Sequence, residues 1–199
     1  MPAAVSARSS KAPVRIVFIG PPGAGKGTQC ERLSAKLEVP HISSGEMLRA
    51  TKGDSTLGKL IAGYIDGGNL APDDLVMQFI TDRLQEPDCV GGCLFDGFPR
   101  TVNQAWMLDE HLSERDQHVD LVVNLVADEQ ALVERLLSRA KIQHRLDDTI
   151  EAIEARLRIF VERTAPVLEY YSQQGTVRSI DAMKTPDEVF ESICSVVVV

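Results

Sequence analysis

The stretch Gly20-Pro21-Pro22-Gly23-Ala24-Gly25-Lys26-Gly27-Thr28 is the part of the chain from which the fold can be predicted. Residues 15–19 before it (Arg-Ile-Val-Phe-Ile) form an apolar run without alternation, which indicates a parallel strand buried on both faces. Residues 29–37 after it repeat apolar side chains at helical spacing. A strand, a glycine-rich turn and a helix start together predict a phosphate-binding loop.

The chemistry of this loop follows from its residue types. Glycines let the backbone approach an anion closely, the N–H groups of the loop and of the first helical turn point at phosphates, and Lys26 adds a mobile charge. The pattern G-x-x-x-x-G-K usually continues with Ser or Thr, whose hydroxyl binds Mg²⁺. Here Gly27 stands at that position and Thr28 follows. We therefore expect Mg²⁺ to be held through water rather than by this loop directly.

The composition restricts the class of protein. The chain has 199 residues, 44% of them hydrophobic and 25% charged, which is typical of one globular domain. Its net charge of −8 argues against general binding to nucleic acid or to anionic membranes. No apolar run approaches the roughly 20 residues of a membrane span. The cysteines at 30, 89, 93 and 194 are interpreted as reduced structural thiols, with a metal site at 89 and 93 as the weaker alternative.

The rest of the chain alternates strand and helix patterns. Further strands are predicted at 40–42, 93–96, 120–126 and 176–180, and helices at 73–85, 102–112, 129–139, 150–172 with an interruption at Pro166, and after a capping box at 185–188. This alternation predicts an α/β fold with a parallel sheet and helices on both faces. Residues 43–72 are predicted to form a small helical insert, 141–148 a polar loop, and 1–13 a disordered tail.

Candidate functional side chains lie at the ends of these segments. Asp96 ends a predicted strand and is expected to face Mg²⁺ through water, although a turn-forming aspartate is the alternative. Five arginines, which could neutralise a transferring phosphoryl group, also adjoin segment ends. These are Arg49, Arg100, Arg139, Arg145 and Arg156. Trp106 is expected to pack in the core, and His111 and His118 to lie at the surface.

Four motifs in the same order resemble the adenylate kinase family. They are residues 20–29 (Gly-Pro-Pro-Gly-Ala-Gly-Lys-Gly-Thr-Gln), 42–49 (Ile-Ser-Ser-Gly-Glu-Met-Leu-Arg), 96–104 (Asp-Gly-Phe-Pro-Arg-Thr-x-x-Gln) and 139–148 (Arg-x5-Arg-x-Asp-Asp). The resemblance extends from about residue 14 to residue 190. It implies a P-loop NTPase-type fold in which 14–42, 73–137 and 149–199 form the core. Residues 43–72 would bind the nucleoside monophosphate, and 138–148 would be a short lid without zinc-binding cysteines.

The resemblance also implies the reaction and its residues. The reaction would be ATP + AMP ⇌ 2 ADP with Mg²⁺ and without zinc. ATP would be bound by Gly23, Ala24, Gly25, Lys26, Gly27, Thr28, Arg135, Arg139 and Lys184. AMP would be bound by Ser44, Arg49, Asn69, Leu70, Ala71, Gly97, Phe98, Pro99, Arg100, Gln104, Arg145 and Arg156. The catalytic groups would be Lys26, Asp96, Arg100, Arg139, Arg145 and Arg156.

Two residues depart from the family pattern, and two other functions stay open. Glu46 stands where Asp is usual, and His144 where Gly is usual. A UMP/CMP kinase would share most of these motifs, although Gln104, whose amide can pair with an adenine edge, favours AMP. A regulatory nucleotide-binding protein without activity is the other alternative. We expect a monomer in the cytoplasm, with organellar targeting by residues 1–13 left open, and neither nucleic acid nor membrane as partner.

Overall fold

The structure, a computed structural model, describes residues 13–143 and 149–197, without the side chains of Glu129 and of residues 139–143. Within these ranges the chain forms a sheet of five strands. The strands are β1 (Val14–Ile19), β2 (His41–Ser43), β3 (Gly92–Asp96), β4 (Leu121–Val126) and β5 (Val177–Asp181). They lie in the order β2-β3-β1-β4-β5, and every neighbouring pair is parallel.

Helices connect and cover the strands. They are α1 (Lys26–Leu37), α2 (Ser44–Thr51), α3 (Thr56–Asp66), α4 (Asp73–Leu84), α5 (Val102–Ser113), α6 (Glu129–Gln143), α7 (Ile150–Ile159), α8 (Ala165–Ser172) and α9 (Pro186–Val196). A short 3₁₀ helix, Pro87–Gly91, precedes β3. The capping box predicted at the start of α9 is present, because Thr185 and Glu188 exchange side-chain to backbone hydrogen bonds.

Two apolar clusters lie on opposite faces of the sheet, and β1 contributes to both. Ile16 and Phe18 pack with α1 and α9, whereas Val17 and Ile19 pack with α4, α5 and α8. Because successive side chains of a strand point to opposite faces, a strand covered on both faces needs apolar residues at consecutive positions, as at residues 16–19. The prediction of an α/β fold with a parallel sheet between helices is confirmed.

Three local predictions need correction. Helix α6 continues to Gln143, so the predicted polar loop does not begin at Lys141; residues 141–143 contain no Gly or Pro that would end a helix. The helix after Ile150 changes at a π-type segment, Phe160–Thr164, and not at Pro166, which lies in the first turn of α8 where its missing N–H costs no hydrogen bond. Trp106 is 53% exposed on α5 rather than packed in the core.

The termini of the sequence lie partly outside the described residues. The tail predicted at residues 1–13 falls there except for Pro13, as does the part of the predicted lid at residues 144–148. Among the helices that the structure describes, none is long and apolar enough to cross a membrane.

Candidate active site

A cleft of about 640 Å³ lies beyond the carboxyl ends of β1, β2 and β3. The phosphate-binding loop forms its floor, α2 and residues 68–71 form one wall, and residues 96–104 with α7 and the π-type segment form the other. Ligands of parallel α/β sheets bind at this edge, because the loops that follow the strands meet there. The phosphate-binding loop and Asp96, which the sequence predicted at strand ends, lie at this edge of the sheet.

The loop has the backbone geometry that anion binding requires. Gly23 and Gly25 have φ of +85° and +92°, a region that other residues seldom adopt, and α1 begins directly at Lys26. The ammonium group of Lys26 donates hydrogen bonds to the carbonyl oxygens of Gly20 (2.7 Å) and Pro21 (3.0 Å). These bonds hold the lysine across the loop, at the place where phosphate oxygens would meet the first N–H groups of α1.

Gly27 lies directly opposite Asp96. A Cβ built on Gly27 would lie 3.5 Å from Oδ2 of Asp96. A Ser or Thr at position 27, as the loop pattern usually has, would therefore place its side chain against this carboxylate. Because Gly27 has no side chain, space is left between the loop and Asp96. Thr28, the next residue, lines the cleft.

Asp96 is hydrogen-bonded to His41, a residue to which the sequence prediction gave no function. Nε2 of His41 lies 3.3 Å from Oδ2 of Asp96. Burial, the largest influence, acts to raise the pKa of Asp96, but the His41 hydrogen bond and the charges of Lys26 and Arg100 lower it below its ordinary value. Burial likewise acts to lower the pKa of His41, but the bond to Asp96 and the nearby acids Asp96, Glu46 and Glu31 raise it. Asp96 is therefore held as a carboxylate.

Arg100 is a half-buried cation held by its backbone surroundings. Its Nε donates to the carbonyl oxygen of Gly97 at 2.7 Å, and its main-chain carbonyl accepts from the hydroxyl of Thr164 at 3.0 Å. Burial, followed by the charges of Arg156 and Arg49, lowers the pKa of Arg100, whereas Asp96 raises it. A bound anion would offset the repulsion that Arg49 and Arg156 exert on the charge of Arg100, so this group of arginines is suited to phosphate.

Asp73, the first residue of α4, is a second residue that sequence reasoning missed. Its carboxylate accepts hydrogen bonds from Nε2 of Gln104 (2.8 Å), from the hydroxyl of Thr101 (3.1 Å) and from Nδ2 of Asn103 (3.0 Å). The Oε1 atom of Gln104 accepts from the main-chain N–H of Arg100 at 2.8 Å. Gln104 is only 2% exposed, and both ends of its amide are oriented within the protein. The sequence signal for Asp73 was a Pro-Asp-Asp helix start, which predicted an acid in the first helical turn rather than this contact.

The electrostatic character of the cleft differs from that of the whole chain. Among the described residues that line it, five are cationic (Lys26, Arg49, Arg100, Arg135 and Arg156) and three are acidic (Glu31, Glu46 and Asp96). The complete sequence has a net charge of −8. An excess of cations over acids in the cleft attracts small anions to it.

The structure brings most of the predicted ligand-binding residues to this cleft. Its lining includes Gly23, Gly25, Lys26, Gly27, Thr28, Ser44, Arg49, Asn69, Leu70, Ala71, Asp96, Gly97, Pro99, Arg100, Gln104, Arg135 and Arg156. Arg135 also donates to the carbonyl oxygen of Ala182 at 3.0 Å, which fixes its side chain against the segment after β5.

Three predicted residues are not in the lining, and two others cannot be placed. The ring of Phe98 is fully buried in the apolar cluster that includes Phe95, so its side chain does not reach a nucleotide. Ala24 is buried, and its N–H donates to Pro21 within the loop. Lys184 is exposed between β5 and α9, outside the lining. The side chain of Arg139 and the whole of Arg145 lie outside the described residues.

A phosphate-binding loop between β1 and α1, a carboxylate at the end of the adjacent strand and converging arginines define a phosphotransferase of the P-loop class. Comparison with known proteins specifies the family. The adenylate kinase family model matches residues 18–176. The adenylate kinase of Rhodopirellula baltica is 50% identical over 91% of this chain and 93% of its own length. Those of Maricaulis maris and Thermobifida fusca are each 44% identical, over 92% and 88% of this chain and 97% and 94% of their own lengths.

The chain belongs to the adenylate kinase family. The predictions of the family and of an ATP:AMP phosphotransferase are thereby confirmed.

Proposed function

We propose that this cleft binds ATP and AMP together and transfers the γ-phosphoryl group directly between them, giving two molecules of ADP. The observation that carries the proposal is that the phosphate-binding loop and the arginines at 49, 100 and 156 line one continuous cleft. The loop supplies a site for the phosphates of the donor. The arginines supply a second anionic site within reach of it, which a simple ATPase would not need.

The acceptor site lies between α2 and the segment that follows β3. Arg49 and Arg100 would bind the AMP phosphate, since a guanidinium can donate two parallel hydrogen bonds to it. The amide nitrogen of Gln104 uses one N–H for Asp73, and its oxygen uses one lone pair for the main-chain N–H of Arg100. The second N–H and the second lone pair of the amide would pair with the adenine edge. Residues 69–71 would contact the base through their backbone.

Lys26 and the arginines would stabilise the transferring group. The transition state of phosphoryl transfer spreads negative charge over the equatorial oxygens, so positioned cations rather than covalent groups supply the catalysis. Lys26 and Arg156 would both contact that group, because both line the cleft. Arg139 and Arg145 are assigned to the same task by the resemblance, and Arg135 and Lys184 to ATP.

Mg²⁺ is the ion that this site would use with ATP. Asp96 fits the role, because its carboxylate lines the cleft next to Gly27 and is kept ionised by its neighbours. Bound Mg²⁺ would neutralise charge on the phosphates of ATP. The distance left by Gly27 suits a water molecule between Asp96 and the ion, since Mg²⁺ usually keeps several waters.

Two segments are proposed to close over the nucleotides, the insert 43–72 and the lid 138–148. The end of the insert rests on α7: a Cβ at Gly68 would lie 2.7 Å from the carbonyl oxygen of Ala152, and Arg156 donates to the carbonyl oxygen of Ile65 at 3.4 Å. These contacts connect the insert to the helix that follows the lid. Closure would exclude water and so favour AMP over water as acceptor.

The remaining expectations stay predictions. We expect the enzyme to act as a monomer in the cytoplasm without a nucleic-acid or membrane partner. The acidic net charge supports the second part, and size-exclusion chromatography with light scattering would test the first.

Transfer of a labelled phosphoryl group tests the proposal. ATP labelled at the γ-phosphate is incubated with the enzyme, Mg²⁺ and unlabelled AMP. The label is expected in the β-phosphate of ADP, with little inorganic phosphate even when AMP is omitted. Release of the label mainly as inorganic phosphate would contradict direct transfer.

A further inference from the structure

Three side chains of the kind that bind metal ions lie together beneath the phosphate-binding loop. The thiol of Cys30, a ring nitrogen of His41 and a carboxylate oxygen of Asp96 lie within 4.8 Å of one another, the one group of this kind found among the described residues. We propose that this group, the Cys30 site, binds Zn²⁺, and that the bound ion inhibits phosphoryl transfer.

The fold fixes the three residues on one face of the sheet. His41 of β2 is paired with Leu94 of β3, so Asp96, two residues further along β3, points to the same face. Leu94 and Cys30 belong to the same apolar cluster, which shows that this face is the one covered by α1. Cys30 lies in the second turn of α1 and is fully buried.

The geometry suits a tetrahedral zinc ion. Two nitrogen or oxygen ligands, each about 2.0 Å from such an ion, lie about 3.3 Å apart. The observed separation of His41 Nε2 and Asp96 Oδ2 is 3.3 Å. Their side chains are 13% and 14% exposed, and Asp96 lines the cleft, so an ion can approach this pair from the cleft. The thiol of Cys30 would move by roughly an ångström to become the third ligand, and water would be the fourth.

The ligand types favour zinc over magnesium. A thiolate and an imidazole are soft ligands that bind Zn²⁺ well, whereas Mg²⁺ prefers oxygen ligands in octahedral geometry. On binding, the thiol proton of Cys30 passes to solvent. The proton on Nε2 of His41 moves through solvent to Nδ1 or, from the imidazolium, leaves to solvent, and the lone pair so freed on Nε2 goes to the ion. The hydrogen bond between His41 and Asp96 is thereby replaced by two coordinate bonds.

Bound Zn²⁺ would inhibit the transfer because Asp96 cannot coordinate Zn²⁺ and contact the water shell of Mg²⁺ at the same time. A carboxylate coordinated to Zn²⁺ is withdrawn from the water shell of Mg²⁺, and the added charge lies next to Lys26 and Gly27. The expectation of no zinc is amended accordingly: zinc would be an inhibitor of this chain and not a cofactor. The inhibition rests on the role proposed for Asp96, whereas binding does not.

Calorimetric titration of the nucleotide-free, full-length enzyme with zinc chloride tests binding. Cys93→Ala is the matched control, because Cys93 is also fully buried but belongs to β3 on the opposite face. We expect the wild type and Cys93→Ala to bind one zinc ion with the same affinity. Cys30→Ala should bind it at least tenfold more weakly, since even an outer-shell partner of a metal site contributes 10–100-fold. A near-ultraviolet thiolate band on titration with Co²⁺ should appear in the first two proteins and vanish in Cys30→Ala.

Inhibition is measured as ADP formation at buffered free Zn²⁺ with saturating Mg²⁺. Without zinc, Cys30→Ala and the wild type should have equal activity; with zinc, the wild type should be inhibited at concentrations at least tenfold lower. Because both enzymes receive the same zinc–nucleotide complexes, the difference reports the Cys30 site. Should Cys30→Ala fail to fold, His41→Asn replaces it in the binding titration. Equal zinc affinity in wild type and variant would overturn the site, and binding with equal inhibition would overturn its effect on transfer.

Discussion

Arg100 shows how a single side chain can be prepared for an anion before the anion binds. One of its donors is used by the carbonyl oxygen of Gly97, and burial together with Arg49 and Arg156 lowers its pKa. Its remaining donors belong to a planar group that fits phosphate oxygens in pairs. Asp96 offsets part of the cost of burying this charge, and a bound phosphate would offset more of it.

Replacing Arg100 by lysine should therefore damage the reaction more than the fold. An ammonium group cannot keep the Gly97 contact and donate in pairs to phosphate, so we expect Arg100→Lys to lower kcat/KM for AMP by about 100-fold or more. Steady-state kinetics with thermal unfolding would measure both effects. Arg163→Lys, an exposed position in the same π-type segment that contributes Thr164, is the control and should leave kcat/KM unchanged. A loss below threefold in Arg100→Lys would remove Arg100 from the site.

The pair of His41 and Asp96 should make stability depend on pH. The pKa of His41 is raised in the folded state, so its stabilising effect is complete below its unfolded pKa of about 6.5 and is lost as the pH rises through the folded value. The free energy of unfolding of wild type minus that of His41→Gln should thus be largest near about pH 5.5 and decrease above about pH 6.5. Urea unfolding across this range measures it.

His118→Gln provides the control for that experiment. His118 also lies near a carboxylate, 3.1 Å from Asp120, but its side chain is 79% exposed. Solvent screens an exposed pair, so the corresponding difference should stay small at every pH. A difference for His41→Gln that rises with pH would contradict the assignment of the charged pair.

Chelation tests the ion that Asp96 is proposed to position. EDTA in excess over the divalent ions should abolish ADP formation, because the phosphates would keep their full charge and the transfer would lose its metal contribution. Addition of excess Mg²⁺ should restore the rate. Turnover that persists in EDTA would contradict a metal-assisted reaction.

Among the elements, the start of α4 contacts the site proposed for the acceptor. Asp73 holds Gln104, which in turn accepts from the main-chain N–H of Arg100. In Asp73→Ala the amide of Gln104 loses its partner, so KM for AMP should rise about tenfold while kcat and KM for ATP change little. Asp74→Ala removes the same charge from the same helical turn and is the matched control. Equal effects in the two variants would show that helix charge, and not the Gln104 contact, is responsible.

The sequence predicts an element well when the residues that determine it lie close together in the chain. β1 and the loop are local patterns, and they were predicted correctly because an unbroken apolar run and a glycine-rich turn have few other structures. The contacts of His41 with Asp96 and of Asp73 with Gln104 join residues 55 and 31 positions apart. They depend on strand order and helix packing, which no local pattern encodes.

The difference between the predicted and the observed end of α6 also has a physical reason. The pattern ended α6 too early because the polar residues after Arg139 were interpreted as a loop, although none of residues 141–143 breaks a helix. The assignment of Phe98 to AMP as part of a motif stays a prediction, and the structure places its ring in the apolar core. A motif identifies a segment that reaches a ligand, but not which of its side chains face the ligand.

At the scale of the whole molecule, different parts of the chain stabilise the fold and form the cleft. The apolar clusters on the two faces of the sheet stabilise a rigid support, while the cleft collects cations at one edge of it. A cleft with more cations than acids, in a chain of net charge −8, favours the binding of small anions such as nucleotides. The segments proposed to close over the cleft emerge from this support, so that closure can bring the cations together without disturbing the core.

The central claim is that this cleft transfers a phosphoryl group from ATP to AMP, and a comparison of acceptors tests it most directly. ADP formation from ATP is measured with AMP, CMP, UMP and GMP in turn, and kcat/KM is compared. Because Gln104 and the backbone of residues 69–71 would be left unpaired by another base, AMP should be preferred by at least 100-fold. A kcat/KM for CMP or UMP that equals or exceeds the value for AMP would contradict the account.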